Sequence, residues 1–228
     1  MRSTANVLLK LGVVALGLFP LAASAAPGTP ASAADYARLP DFCQAKIGAY
    51  KDDLAQKRYW EQVYGVDPWM HMHHYCLGIL FLNKARLGMT KADREAHAWY
   101  LGEAASNYDY VIRAWPPGFE LQADAILGQG QAYQLNKQDI KAIGAYMKAI
   151  SLRPDFAAAY ALLADTWAAR GDKAKAREVL QQGLQNTGND EMLARRLARL
   201  EATPSVAPHA GQPLPGRATG GAPSTQKP

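Results

Sequence analysis

Two adjacent segments decide the fold: residues 123–156, ADAILGQGQAYQLNKQDIKAIGAYMKAISLRPDF, and residues 157–188, AAAYALLADTWAARGDKAKAREVLQQGLQNTG. When the first segment is shifted onto the second, small side chains align with small ones and large apolar side chains with large apolar ones. The aligned pairs are Gly130 and Ala164, Tyr133 and Trp167, Ala142 and Ala176, Tyr146 and Leu180, and Ala149 and Gly183. The shift, about 34 residues, is the length of one helix–turn–helix repeat. The register therefore predicts tandem helix pairs.

Turn and cap residues divide these segments into four helices, which we predict at 121–135, 137–152, 156–170 and 173–186. A further helix at 190–202 alternates leucines with arginines. A polar outer face of this kind suits the terminal helix of a repeat array, because that helix has no following repeat to cover it.

Residues 67–118 predict a longer, diverged helix pair. Asp67 followed by Pro68 is a helix-start signal, and the run Leu77-Gly78-x-x-Phe81 has the spacing of a repeat's first helix. Thr90, three residues before an aspartate, predicts a capping box at the start of the second helix.

Residues 122–189 resemble two tandem tetratricopeptide repeats, and residues 70–118 resemble a diverged third. The matching signature positions are Ile126, Gly130, Tyr133, Ala142, Tyr146, Ala149 and Pro154 in the first copy, and Tyr160, Leu163, Ala164, Trp167, Ala176 and Leu180 in the second. The resemblance implies an all-α fold: a short right-handed solenoid of antiparallel helix pairs. Its units would be the diverged pair at 67–118, repeats at 119–154 and 155–188, and a capping helix at 189–202.

The flanking segments are expected to differ from the repeats. Residues 40–66 do not follow the repeat pattern and predict an N-terminal helical cap that packs over the first unit. Residues 26–39 and 203–228 contain few large apolar side chains, so we predict a disordered lead-in and a disordered tail.

Residues 1–25 have the pattern of a secretory signal peptide. A basic start with Arg2 and Lys10 precedes the apolar run LGVVALGLFPL and the small residues Ala23-Ser24-Ala25. Cleavage after Ala25 would give an exported protein, periplasmic or secreted, with no membrane span; an uncleaved N-terminal anchor is the alternative. Of the formal net charge of +5, residues 1–25 and 203–228 supply four basic groups and no acid, which leaves +1 for the rest. We therefore expect no nucleic-acid partner.

Export changes the interpretation of the two cysteines, Cys43 and Cys76. An oxidising compartment favours a disulfide between them. Two buried free thiols are the alternative.

The resemblance implies that the first helices of the repeats line a concave groove for a protein or peptide. The positions carried over are Met72, Tyr75, Ile79 and Asn83 in the diverged unit, Asp124, Leu127, Gln131 and Gln134 in the next, and Ala158, Ala161, Asp165 and Ala168 in the last. This lining lacks the lysine and arginine set that binds a terminal carboxylate in chaperone-binding members of the family. It is polar to mildly acidic at one end, so a neutral or basic extended segment suits it.

One short run is not explained by repeat packing: His71-Met72-His73-His74-Tyr75-Cys76. Histidine, methionine and cysteine all bind transition metals, and His97 on the partner helix could supply a further ligand. Metal or haem binding at His71, His73, His74 and His97 is therefore an alternative function; otherwise we expect no cofactor. The sequence contains no nucleophile elbow, phosphate-binding loop or HExxH motif. Our leading expectation is a non-catalytic, exported scaffold that binds a partner in the cell envelope.

Overall fold

The computed structural model describes residues 28–88 and 90–202, so the predicted signal peptide and C-terminal tail lie outside the described residues. Within these ranges the chain forms helices and no strand. The helices are α1 (Ala33–Tyr36), α2 (Asp41–Lys46), α3 (Leu54–Tyr64), α4 (Val66–Leu87), α5 (Lys91–Glu95), α6 (His97–Ala114), α7 (Gln122–Leu135), α8 (Asp139–Leu152), α9 (Ala157–Ala169), α10 (Lys173–Asn186) and α11 (Glu191–Ala202). Among the described residues, none of these helices is both long and apolar enough to cross a membrane.

Three helix pairs follow one another along the chain: α4 with α6, α7 with α8, and α9 with α10. The first helix of the middle pair, α7, contacts the first helices α4 and α9 of its neighbours, and α9 contacts α11. Within the described part of the chain, the second helices α6, α8 and α10 make no comparable contact with one another. The array therefore curves with α4, α7 and α9 on its inner side. We call the surface that these three helices form the concave surface.

Glycines allow neighbouring helices to approach closely around the ring of Tyr108 on α6. A Cβ atom at Gly128 would lie 2.7 Å from Cε2 of that ring, and one at Gly78 would lie 2.9 Å from Cε1. The ring is therefore held between α4 and α7, and any larger residue at either glycine would collide with it.

The N-terminal cap is tied to the array by a disulfide. Cys43 on α2 and Cys76 on α4 form this bond, which confirms the predicted pairing, and both residues are fully buried. Beside it the ring of Phe42 stacks on Tyr75 and meets Tyr64 of α3 edge-on. The cap is thus attached to α4 covalently and by aromatic packing.

The expected disorder of residues 26–39 is wrong for the described part, residues 28–39. Leu39 is buried in the core beneath the cap, and Tyr36 packs against the same cluster. Thr29 forms hydrogen bonds with Asp93 on α5. The segment is anchored by side chains that are distant from it in the sequence, which local composition does not reveal.

Candidate partner-binding surface

The structure removes two of the predicted groove residues from the concave surface. Met72 is fully buried, and Tyr75 is covered by Phe42 of the cap and by Trp115 at the end of α6. Burial raises the pKa of the Tyr75 hydroxyl well above its ordinary value. The prediction that these two residues line an open groove is wrong, because the cap occupies that part of α4.

The rest of α4 reaches the concave surface beyond the cap. Ile79 and Asn83 are each half-buried, and Ile79 packs against the core cluster of the first unit. The C-terminal half of α4 is therefore the part of this helix that is open to a partner segment.

On α7 the predicted residues form one row along the helix. Leu127 and Gln131 are half-buried and lie one turn apart, which places them on the same face. At the end of the row, the Tyr146 hydroxyl of α8 donates a 2.7 Å hydrogen bond to Oε1 of Gln134. Gln134 is thereby held in place by the second helix of its own pair, which leaves Leu127 and Gln131 as the central lining of the surface.

At the start of α7, Asp124 forms a salt bridge with Arg153, which follows the end of α8. The guanidinium of Arg153 also lies 4.0 Å from the centre of the Phe156 ring. This arginine therefore links the second pair to the third while it neutralises the carboxylate.

On α9 the predicted residues have different exposures. Ala161 is buried, whereas Ala158 and Ala168 are half-buried. Oδ2 of Asp165 accepts a 3.2 Å hydrogen bond from Nε of Arg196 on α11. Asp165, Ala168 and Arg196 line a small pocket of about 160 Å³.

Both acids of the predicted groove are therefore paired with the chain's own arginines, Asp124 with Arg153 and Asp165 with Arg196. The expected mildly acidic lining is corrected: each of its two carboxylates is neutralised by an arginine, and Arg199 also lines the pocket beside Asp165. This arrangement favours an uncharged segment over a basic one, because a basic partner would have to compete for carboxylates that already have partners.

The histidine run makes separate contacts. Nδ1 of His74 lies 2.8 Å from Oδ1 of Asn107, and Nδ1 of His73 lies 3.0 Å from the Met70 carbonyl oxygen. Nδ1 of His71 lies 3.1 Å from the hydroxyl of Tyr110. Burial, together with the neighbouring His74, lowers the pKa of His73.

These residues do not assemble the predicted metal site. Cys76 is held in the disulfide, and among the described residues no group of three or more histidine, cysteine or carboxylate side chains has the geometry to hold a metal ion. His97 begins α6, whereas the α6 residue that bonds His74 is Asn107, about 15 Å further along the helix at 1.5 Å per residue. The fourth predicted ligand is therefore far from the other three.

The comparisons with known proteins agree with the repeat geometry. The structure is similar to the crystal structure of a thermophilic tetratricopeptide-repeat (TPR) protein of Thermus thermophilus, with a TM-score of 0.51. The alignment covers 70% of this chain and 77% of the other, at 20% sequence identity. The chain has the TPR fold. No family model and no curated protein matches the sequence.

The TPR positions do not predict three residues that contact the lining of the concave surface. Arg153 and Arg196 neutralise its carboxylates, and Tyr146 holds the Gln134 side chain. Arg153 directly precedes Pro154, which marks the turn between the repeats. The sequence places a charge at that turn but does not indicate which acid it meets.

Proposed function

We propose that this protein is a non-catalytic, exported scaffold that binds an uncharged extended segment of a partner in the cell envelope. The partner lies across the open part of the concave surface, from Asn83 on α4 through Gln131 on α7 to the pocket beside Asp165 on α9. The TPR fold supports a role in protein interaction.

The lining of the concave surface is the observation that carries the proposal. Gln131 and Leu127 are half-buried at its centre, and an extended backbone placed there would find an amide side chain for hydrogen bonding beside an apolar contact. The small pocket beside Ala168 could receive one apolar side chain of the partner.

Export is supported by the sequence pattern of residues 1–25 and by the disulfide between Cys43 and Cys76. Disulfides of this kind are rare in reducing compartments. The proposal therefore places the partner outside the cytoplasm.

Affinity capture from envelope extracts tests the proposal. The bait is the full chain, compared with a Gln131→Arg variant, which places an uncompensated charge at the centre of the concave surface. Met147→Arg on α8 is the matched control, because Met147 is 57% exposed on the second helix of the same pair.

We expect Gln131→Arg to lose a captured protein that the wild-type chain and Met147→Arg both retain. Identical captured sets for all three baits would contradict the assignment of the concave surface. Recovery of the chain only from the cytoplasmic fraction would contradict the proposed location.

A further inference from the structure

The non-helical segment Gly28–Ser32 lies in a cleft between α4, α5 and α6, away from the concave residues described above. Gly28, Thr29 and Pro30 lie beside Leu77 and Phe81 of α4 and Trp99 of α6. We call this place the α4–α6 cleft. Its occupant is held by residues from three separate helices.

Every polar group of Thr29 has a partner in the cleft. Its hydroxyl donates a 2.6 Å hydrogen bond to Oδ1 of Asp93 and accepts one of 3.1 Å from Nζ of Lys84. Its backbone N–H donates to the same Asp93 oxygen at 3.4 Å, and its carbonyl oxygen lies 3.3 Å from the Tyr100 hydroxyl, which shares its single proton with the closer Asp93 carboxylate. The cleft thus recognises both the backbone and the side chain of this residue.

The recognising groups are buried and charged. Lys84 and Asp93 are each only 6% exposed, and their charged atoms lie 3.4 Å apart. The Tyr100 and Thr90 hydroxyls also donate to Asp93, at 2.8 and 2.7 Å. Buried charged side chains that form hydrogen bonds with an uncharged, non-helical segment are typical of a polar binding site and not of ordinary core packing.

The cleft also selects the residue before Thr29. Gly28 has a φ of +91°, and a Cβ atom there would lie 2.7 Å from Cζ of Tyr100. Only glycine fits this position without a shift of the ring. Cavities of about 330 and 260 Å³ flank the segment, so its side chains do not fill the cleft.

We propose that the α4–α6 cleft is a peptide-binding site for an uncharged, non-helical Gly-Thr segment. The chain's own residues 28–32 occupy it as a built-in competitor. A peptide with the same Gly-Thr pair binds there in trans when the chain's own segment is weakened. The proposal does not depend on the concave surface.

Fluorescence anisotropy with a labelled, end-capped peptide of residues 26–32, APGTPAS, tests the site on the full chain. The peptide stops before helix α1 and before Asp35, which forms an ion pair of its own with Lys84. The wild-type chain should bind the peptide weakly, because the attached segment competes at a high effective concentration. Thr29→Val removes the competing hydroxyl from the chain and leaves the cleft intact. Because a hydrogen bond to a charged group contributes roughly tenfold or more to an equilibrium constant, we expect this variant to bind at least about tenfold more tightly.

Two matched controls isolate the hydroxyl. Thr29→Ser in the chain keeps it and should return the affinity to that of wild type. A peptide with valine in place of its threonine should bind the Thr29→Val chain about tenfold more weakly than the original peptide does. The proposal is overturned if the Thr29→Val chain binds no peptide, or if the two peptides bind it equally well.

Discussion

Removal of the disulfide is the perturbation whose magnitude can be worked out most directly. Cys43 and Cys76 are separated by 33 residues, and both are fully buried between α2 and α4. In the chain-entropy relation, a loop of this length lowers the entropy of the unfolded chain enough to stabilise the native state by about 4 kcal/mol at 25 °C. For a protein of this size, such a loss lowers the melting midpoint by roughly 10 °C.

Urea unfolding followed by circular dichroism, in buffer without reductant, measures this effect on Cys43→Ala, Cys76→Ala and the double variant. Each single substitution already breaks the cross-link, so we expect all three variants to lose nearly the same free energy of unfolding. If the bond acted only through local packing, the two single losses would instead add in the double variant. A double variant within about 1 kcal/mol of wild type would refute the reasoning, because it lies well below the value for this loop.

Three further predictions concern packing, pH and capping. Gly128→Ala should lower the free energy of unfolding, measured by urea titration, by about 1–3 kcal/mol, because the new methyl group overlaps the Tyr108 ring. Gly144→Ala is the control and should not destabilise the protein, because no atom lies near the position of its new methyl group. Hydrogen bonds from Thr29, Thr90 and Tyr100 lower the pKa of Asp93. The contribution of this carboxylate to the free energy of unfolding is therefore present above about pH 4 and is lost as the pH falls below that value. Asp93→Asn should flatten the pH dependence of this free energy, measured by urea titration between pH 7 and pH 3. Asp172→Ala removes the side-chain cap of α10 and should lower the melting midpoint by an amount equivalent to about 1 kcal/mol. An unchanged melting midpoint would show that this cap does not stabilise the helix.

The repeat helices could be predicted closely because their signals are local. The helices α7 to α11 begin and end within two residues of the predicted bounds. Small residues such as Gly130 and Ala164, and turn residues such as Gly171, act through neighbours in the same repeat. A period in the sequence is therefore enough to place them.

The N-terminal third could not be predicted as well, because long-range contacts determine it. Residues 28–39 contain few large apolar side chains, yet the Thr29 hydroxyl forms hydrogen bonds with Lys84 and Asp93. The sequence predicts a capping box at Thr90, and the Thr90 hydroxyl does accept from the Asp93 N–H. This cap begins the short helix α5, however, and not the second helix of the pair, α6, which starts at His97 without a side-chain cap. The sequence does not show that the Asp93 carboxylate also binds a segment near the N-terminus, far from it in the sequence.

The groove could be predicted in part. Leu127 and Gln131 lie in a repeat that keeps its signature residues, and both are half-buried on α7; that they line a partner-binding groove stays a prediction. Met72 lies in the diverged unit, where the cap covers positions that would be open in a regular repeat. The pairing of Asp165 with Arg196 depends on how α11 packs on α9, which the sequence of α11 alone does not specify.

The central claim is that a partner segment lies across the concave surface, and site-specific photocrosslinking in cells tests it most directly. A photoreactive amino acid replaces Gln131 on the concave surface, or Met147 on the outer helix α8 as the control. We predict a covalent adduct of defined mass from position 131 and none from position 147. An adduct from position 147 alone, or no adduct from position 131 at full expression, would contradict the claim.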